Sequence, residues 1–328
     1  MPIRITAAIC THNRAALLPA AIESLLAQSM PPTDYEILVI DNASTDETPQ
    51  IIQHYLVAGG SVTLRSAVQP VLGLSHARNL AVEMAVGGII AFMDDDAVAT
   101  PGWLEALSGA YAASPTTWAA GGKVLLQWRT ARPEWLTDDL LPGLSMFDLG
   151  DDTRVLGPRE FLWGTNCSFR SRAFSEIGMF RTDLGRLGSL LLGQEETELQ
   201  HRIYRLGKHV IYVPSALVYH QVEKSRLRRR YFVARAYGSG RSTALTEKVT
   251  INTNVQLMKS IRVLLSVYKK CLGSLPRLID PRARLMCLRR QAFALGYLRE
   301  AVARRLQVAR SENEDEEVNQ HTHDDDLG

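Results

Sequence analysis

"GIIAFMDDDAVAT", residues 88–100, sets a short apolar run directly against three consecutive carboxylates. The run has the length and composition of a buried strand, and its far end delivers Asp94, Asp95 and Asp96. Unit charges about 4 Å apart interact by roughly 4 kcal/mol at the dielectric of a protein surface, so clustered acids repel unless an opposite charge is supplied. A cation is the expected partner. If the strand continues through the triplet, Asp94 and Asp96 leave on one face and share an ion, and carboxylate oxygens favour Mg²⁺ or Mn²⁺. Standing alone, the triplet reads equally well as a solvated turn, so the surrounding motifs decide.

Upstream, the runs "IRITAAIC", "EILVI" and "VTLR" precede "GIIAFM", and helical patterns separate them, which is how a mostly parallel α/β sheet is written. Leu17, Leu18, Ile22, Leu25 and Leu26 recur at helical spacing and predict a crossover helix over 15–28. Ser44, Thr45 or Asp46 is positioned to cap a second helix carrying Ile51, Ile52 and Leu56, and "LSHARNLAVEMA" supplies a third. Such sheets bind ligands beyond the carboxyl ends of their strands, where the loops after Cys10, Ile40 and Met93 converge. "CTHNR", residues 10–14, opens the first of these loops in a position suited to phosphate or a base, while Thr11 and Asn13 serve equally as helix caps. In "DNASTDET", Asp41 and Asp46 are placed to accept hydrogen bonds from a base or ribose, or to cap and turn the chain.

The 328 residues, 46% hydrophobic and 22% charged, allow one large domain or a domain with an appendage. Cys10, Cys167, Cys271 and Cys287 lie far apart without a CxxC pair, so neither a disulfide framework nor a zinc site is expected. The start "MPIRITAAIC" lacks the pattern of an export signal, and no run reaches the roughly 18 apolar residues of a membrane span. These features predict a cytoplasmic protein. Net charge, +2 overall, is unevenly spread. Residues 1–222 carry 16 Lys and Arg against 23 Asp and Glu, 223–310 carry 21 against 4, and 311–328 carry 8 acids with no Lys or Arg. The middle piece reads as a basic helical appendage, with apolar stripes at Leu257, Ile261, Leu264 and Leu265 and at Leu285, Leu288, Phe293 and Leu295. The last piece has little to bury and reads as a disordered acidic tail.

"TAAICTHNR", "EILVIDNASTDET", "GLSHARNLA" and "IIAFMDDDAV", in this order and spacing, resemble glycosyltransferase family 2, whose members have the GT-A fold. The resemblance continues through "LWGTNCSFRSRAFSEIGMF" and "GQEETELQHRIYRLGKHVIYVPSALVYH" and covers about the first two thirds of the chain. It implies a catalytic domain over 1–222, with a nucleotide-sugar half over about 1–100 and an acceptor half over about 101–222. It places Thr11, Asn13, Arg14, Asp41, Ser44, Arg78 and Asn79 at the nucleotide. Asp94 falls on the ribose or metal, and Asp96 and His220 on a Mn²⁺ or Mg²⁺ ion. In the family a Glu-Asp pair opens the helix behind the acceptor and its second acid is the base. Here the pair is Glu195 and Glu196, with Glu196 the matching base and Glu195 the reserve; both also suit the positive end of a helix. Trp163 is a candidate to stack on a sugar and Asn166 to bond a hydroxyl.

The implied reaction is inverting transfer from a nucleotide-diphospho-sugar, a uridine nucleotide by family preference, to a hydroxyl of a glycan or lipid-linked acceptor. A glycosidase needs two carboxylates but no Asp-x-Asp at a nucleotide pocket. A sugar-phosphate nucleotidyltransferase would open with a glycine-rich loop, and "AICTHNR" has no glycine. A degenerate glycan-binding relative in a membrane-bound assembly would have lost carboxylates that are all retained here. The basic piece carries no nucleic-acid motif; its charge and stripes suit the anionic inner face of the cytoplasmic membrane, or a helical cap on the catalytic domain.

Overall fold

In the computed structural model, residues 4–188, 190–247 and 280–325 are described, with 262, 265 and 269, and side chains as far as 305. The chain divides into two compact units, Met1–Arg228 and Arg229–Gly328.

The first unit is built on the predicted strands β1 (Ile5–Thr11), β2 (Tyr35–Asp41), β3 (Thr63–Val68) and β4 (Ile89–Asp94), which run parallel in the spatial order β3-β2-β1-β4. Helices α1 (Leu18–Leu26), α2 (Thr48–Ala58) and α3 (Leu74–Met84) make the crossovers. The chain steps outward from β1 to β3 and returns to β4 on the other side, which makes the carboxyl ends of β1 and β4 the switch point where a crevice opens. β1 and β2 are buried almost throughout, as central parallel strands covered on both faces must be. The cap position of α2 falls on Glu47, outside the three candidates; of those, Asp46 is the one that meets the first turn, accepting a hydrogen bond from the Thr48 amide (3.0 Å).

Beyond β4 the chain makes a turn at Asp95 and Asp96 and enters β5 (Ala97–Ala99), then α4 (Trp103–Ala113), β6 (Thr117–Gly121) and β7 (Val124–Trp128). After a two-residue strand, β8 (Arg154–Val155), β9 (Asn166–Arg170) inserts antiparallel between β4 and β6. Helices α5 (Ala173–Ile177) and α6 (Glu195–Arg205) lead to β10 (His209–Tyr212) and β11 (Val218–Val222). Among the described residues the main sheet has the order β3-β2-β1-β4-β9-β6-β10-β8, and β5-β11-β7 form a smaller one. Two registers position side chains at the crevice. Met93 opposite Asn166 brings the residue before β9 to the end of β4, and His220 opposite Ala97 brings an imidazole beside the acid triplet.

The second unit contains α7 (Arg229–Thr246) and α8 (Pro281–Asp325). Its packed face differs from the expected stripe. Leu285 is buried, but Leu288 and Leu295 are exposed, and the buried positions are Cys287, Ala292, Ala294 and Tyr297. Small residues win because the helices cross closely: a Cβ on Gly240 would lie 2.0 Å from the Phe293 carbonyl oxygen, and one on Gly296 would lie 2.1 Å from that of Tyr237. Leu257, Ile261 and Leu264 lie outside the described residues. Helix α8 continues to Asp325, through the acidic stretch whose composition suggested disorder. Among the described residues no helix is long and apolar enough to cross a membrane.

Gly240→Ala is expected to weaken the helical unit by about 1–3 kcal/mol, because backbone must move to admit the methyl group. Gly109→Ala in α4, where a Cβ meets nothing within 4 Å, is expected to be neutral or stabilising by up to about 1 kcal/mol. Denaturant unfolding of both variants separates these outcomes.

Candidate active site

Three loops meet at the switch point. Asn13, in a left-handed conformation (φ 54°) after β1, accepts hydrogen bonds at Oδ1 from the Thr45 amide (2.7 Å) and the Asp46 amide (3.3 Å), and its own amide donates to Ser44 Oγ (3.0 Å). Asp41 Oδ1 accepts from the Ser44 amide (3.1 Å). The loops after β1 and β2 are thereby zipped together, and Thr11, Asn13, Arg14, Asp41 and Ser44 form one rim. Thr11 is buried with its hydroxyl unpartnered.

The triplet lies at the centre, and each acid faces a guanidinium, two of which are shared with the closer carboxylates Glu195 and Glu223. Asp94 is 3.6 Å from Arg78, Asp95 is 3.7 Å from Arg14, and Asp96 is 2.5 Å from Arg226. The strand does not continue through the triplet, which corrects the premise that Asp94 and Asp96 share a face. Asp94 ends β4 and accepts a hydrogen bond from Thr165 (2.7 Å), placed there by the β4–β9 register. Asp96, past the turn, lies 3.3 Å from His220, placed there by the β5–β11 register. Burial alone would raise the Asp96 pKa, but the neighbouring groups, the Arg226 guanidinium foremost, outweigh it and hold that carboxyl well below the usual range. Asp95 goes the other way, to about 7, through burial and the neighbouring charge of Asp96.

Arg78, from α3, is buried and reaches three elements at once. It donates to Glu195 Oε1 (2.8 Å) at the head of α6 and to the Gly164 carbonyl (3.0 Å), and it approaches Asp94. Its guanidinium also lies 5.5 Å from the Phe92 ring centre and 5.7 Å from that of Phe180. Burial would lower its pKa, but the Glu195 carboxylate more than compensates and raises it. Glu195 is thus consumed as a buried counter-ion. Glu196, one residue on, is half-buried without an arginine of its own, and burial followed by the charge of Glu195 raises its carboxyl to about 8.

Two sequence-predicted residues do not face the crevice. The Asn79 amide bonds both backbone groups of Phe180, each at 2.9 Å. The Asn166 side chain is buried, accepting from Trp103 (2.9 Å) and donating to the carbonyls of Lys123 (3.0 Å) and Ala216 (2.7 Å). Both amides are spent on the fold, and neither is free for a nucleotide or a sugar. Trp163 is half-buried and stacks on Phe147 with ring centres 5.9 Å apart. Arg226 and Thr165 were not anticipated. Arg226 belongs to the run "RLRRR", in which composition distinguishes no single arginine, and only its distance of six residues from His220 marks it out.

Among the described residues no three His, Cys, Asp or Glu side chains stand together as a complete metal cage. Asp96 Oδ1 and His220 Nε2 nevertheless offer an oxygen and a nitrogen 3.3 Å apart, and Asp96 Oδ1 is buried without a hydrogen-bond partner. That pair fits a divalent cation whose remaining ligands come from phosphate and water.

Residues 6–178 match the glycosyl transferase family 2 sequence pattern. The chain belongs to that family. Among curated relatives, the glucosyl-dolichyl phosphate glucuronosyltransferase of Haloferax volcanii is 29% identical over 247 residues, covering 73% of this chain and 76% of the relative. Among solved structures, a mannosyltransferase from Pyrobaculum calidifontis in complex with GDP-Man and Mn²⁺ superposes with a TM-score of 0.61 at 18% identity, over 92% of this chain and 89% of that one. S. aureus TarS 1-349 in complex with UDP-GlcNAc gives a TM-score of 0.52 at 13% identity, with 90% of each chain covered. The mostly parallel sheet with its helices is the GT-A fold of this family, and the family chemistry is glycosyl transfer.

Glu196 ties stability to pH. Its carboxyl has a pKa of about 8 in the fold against 4.5 for the unperturbed group. The folded chain therefore holds a proton that the unfolded chain releases between those values, and stability falls as pH rises through that window. Glu196→Gln removes this slope, so the variant is expected to gain on the wild type between pH 5 and pH 8 in denaturant titrations. Parallel curves would show that the carboxyl is not held protonated.

Proposed function

We propose that this chain is an inverting, metal-dependent glycosyltransferase that moves a sugar from a nucleotide-diphospho-sugar, a UDP-sugar in the first instance, to a hydroxyl of a glycan or lipid-linked acceptor. The observation that carries the reading is the division of labour at the head of α6: Arg78 neutralises Glu195 and leaves Glu196 as the single available carboxylate. A base with a pKa near working pH, half-exposed beside the crevice, suits removal of a proton from an attacking hydroxyl.

On this reading residues 1–100 hold the donor. Thr11, Asn13, Arg14, Asp41 and Ser44 line the base and ribose, with Asp41 accepting from a base N–H or a ribose hydroxyl. Asp94, fixed by Thr165 and Arg78, faces the ribose side of the diphosphate. Asp96 and His220 would hold Mn²⁺ or Mg²⁺, which offsets charge on the departing diphosphate. Residues 101–222 supply the acceptor side, where Glu196 takes the proton as the acceptor oxygen attacks the anomeric carbon opposite the leaving group, and Trp163 presents an aromatic face to a sugar. One base is enough, because the hydroxyl attacks directly and the configuration inverts. Solved relatives with GDP-Man and Mn²⁺ or with UDP-GlcNAc support a nucleotide-sugar donor, and the relative named for a dolichyl phosphate sugar supports a lipid-linked acceptor.

The decisive assay is nucleoside diphosphate release from a panel of nucleotide sugars with Mn²⁺, Mg²⁺ or chelator. Turnover of one donor is expected to require the cation and to fall by about 10²–10⁴-fold in Glu196→Gln. Wild-type turnover that survives chelator, or that Glu196→Gln leaves unchanged, contradicts the reading.

We further propose that residues 223–310 dock on the anionic inner face of the cytoplasmic membrane, supported by 21 basic against 4 acidic residues. The full chain is expected to float with vesicles containing anionic lipid and to be released by salt. Equal flotation with neutral vesicles would contradict docking by charge.

A further inference from the structure

Arg226 occupies the position that the metal reading assigns to an ion. Its NH2 is 2.5 Å from Asp96 Oδ2 and its NH1 is 2.7 Å from His220 Nε2. The second contact requires Nε2 to present its lone pair, which is the electron pair a metal ion would use. Both acceptors are almost wholly buried, and the arginine itself is 15% exposed. The guanidinium is carried by the single 3₁₀ turn Lys224–Arg226, which buries no residue of its own and follows β11 directly. One residue before that turn, Glu223 pairs with Arg14 (2.8 Å), which in turn faces Asp95. The turn itself is therefore latched by charge on both sides of the triplet, between the buried Val222 before it and the buried Leu227 after it.

We propose that Arg226 is a resident counter-ion of the Asp96–His220 pair, and that a divalent cation displaces it when a nucleoside diphosphate arrives to receive the guanidinium. The inference rests on the proposed metal-dependent transfer and assigns Arg226 a positioning role within it. Two cations cannot hold the same nitrogen lone pair, so a metal ion on His220 Nε2 requires Arg226 to leave it, even though Asp96 Oδ1 stays open beside the Oδ2 that the guanidinium holds. A metal ion alone must expel a bidentate, desolvated guanidinium that then lacks those two acceptors. A diphosphate changes the balance in two ways: it supplies further oxygens to the metal, and it offers Arg226 a new anion that a planar guanidinium fits well. The consequence is that metal and nucleotide bind together, so the acidic site does not collect cations while the donor pocket is empty. Asp96 thereby faces a cation in both states, first Arg226 and then the ion.

The test is Mn²⁺ binding to the full chain, read by the loss of the free-ion electron paramagnetic resonance signal, with and without UDP or GDP. In the wild type, nucleoside diphosphate is expected to tighten Mn²⁺ binding by tenfold or more. Arg226→Gln is expected to bind Mn²⁺ alone at least tenfold more tightly than the wild type, with a smaller gain on adding nucleotide. Arg226→Lys keeps the charge but loses the two-armed contact, and its Mn²⁺ affinity is expected to fall between those of the wild type and Arg226→Gln. Circular dichroism confirms that each variant is folded. A folded Arg226→Gln with unchanged or weaker Mn²⁺ affinity overturns the proposal, as does a Lys variant that tightens as much as the Gln variant. Should Arg226→Gln not fold, wild-type Mn²⁺ affinity that is the same with and without nucleotide overturns it. If Mn²⁺ binds to none of the proteins even with nucleotide, the metal-dependent reading fails with it, whereas nucleotide-dependent binding with an unchanged Gln variant removes the Arg226 assignment alone.

Discussion

The site depends on one buried guanidinium. Arg78 rises from α3 between Phe92 and Phe180 and ties the end of β4, the Gly164 loop and the head of α6 to one point. A charge so placed is costly to bury and is held by the partners that surround it. Removing one side of such a pair typically costs about 3–5 kcal/mol, because the other side is left charged and dry. That constraint fixes Glu195 as a structural carboxylate and, one residue along, leaves Glu196 unclaimed. Two adjacent glutamates of the same chemistry thereby come to differ in kind: one is paired with a buried guanidinium, the other is held near pKa 8.

The same logic of charge and counter-charge runs through the acid triplet. Three carboxylates stand at the end of β4 because a parallel sheet presents strand ends to a crevice, and three arginines from distant parts of the sequence face them there. Arg14 comes from the loop after β1, Arg78 from α3, and Arg226 from the turn after β11. The cation that the sequence demands is met within the chain itself, and a bound metal ion would be an exchange at one of the three positions.

Much of this was legible in the residues alone. The apolar runs and helical spacings located β1 to β4 and the three crossover helices because each element is buried by one dominant pattern. The rim of Asn13, Asp41 and Ser44 followed from the loops that such a sheet brings together. What stayed hidden depends on register and burial. Asn79 and Asn166 look available in sequence, yet Asn79 is tied to the backbone of Phe180 and Asn166 to the Trp103 indole and two carbonyls that only the folded register brings near. Asp94 ends the strand and Asp96 lies in the turn that follows it, where a continuing strand would have set both on one face. Leu288 and Leu295 are the larger apolar residues of α8, but the close crossing with α7 selects Ala292, Ala294 and Gly296. The choice between Glu195 and Glu196 needed Arg78 in place.

The central claim is that a single unpaired carboxylate drives direct attack on the anomeric carbon. The most direct test is stereochemical: real-time proton NMR of the sugar linkage formed from an α-linked nucleotide sugar, or of the free sugar first released where water is the acceptor. The account predicts a β-anomer, formed by one inversion. An α-anomer as the first product would require a second nucleophile or a retained contact, and would contradict it.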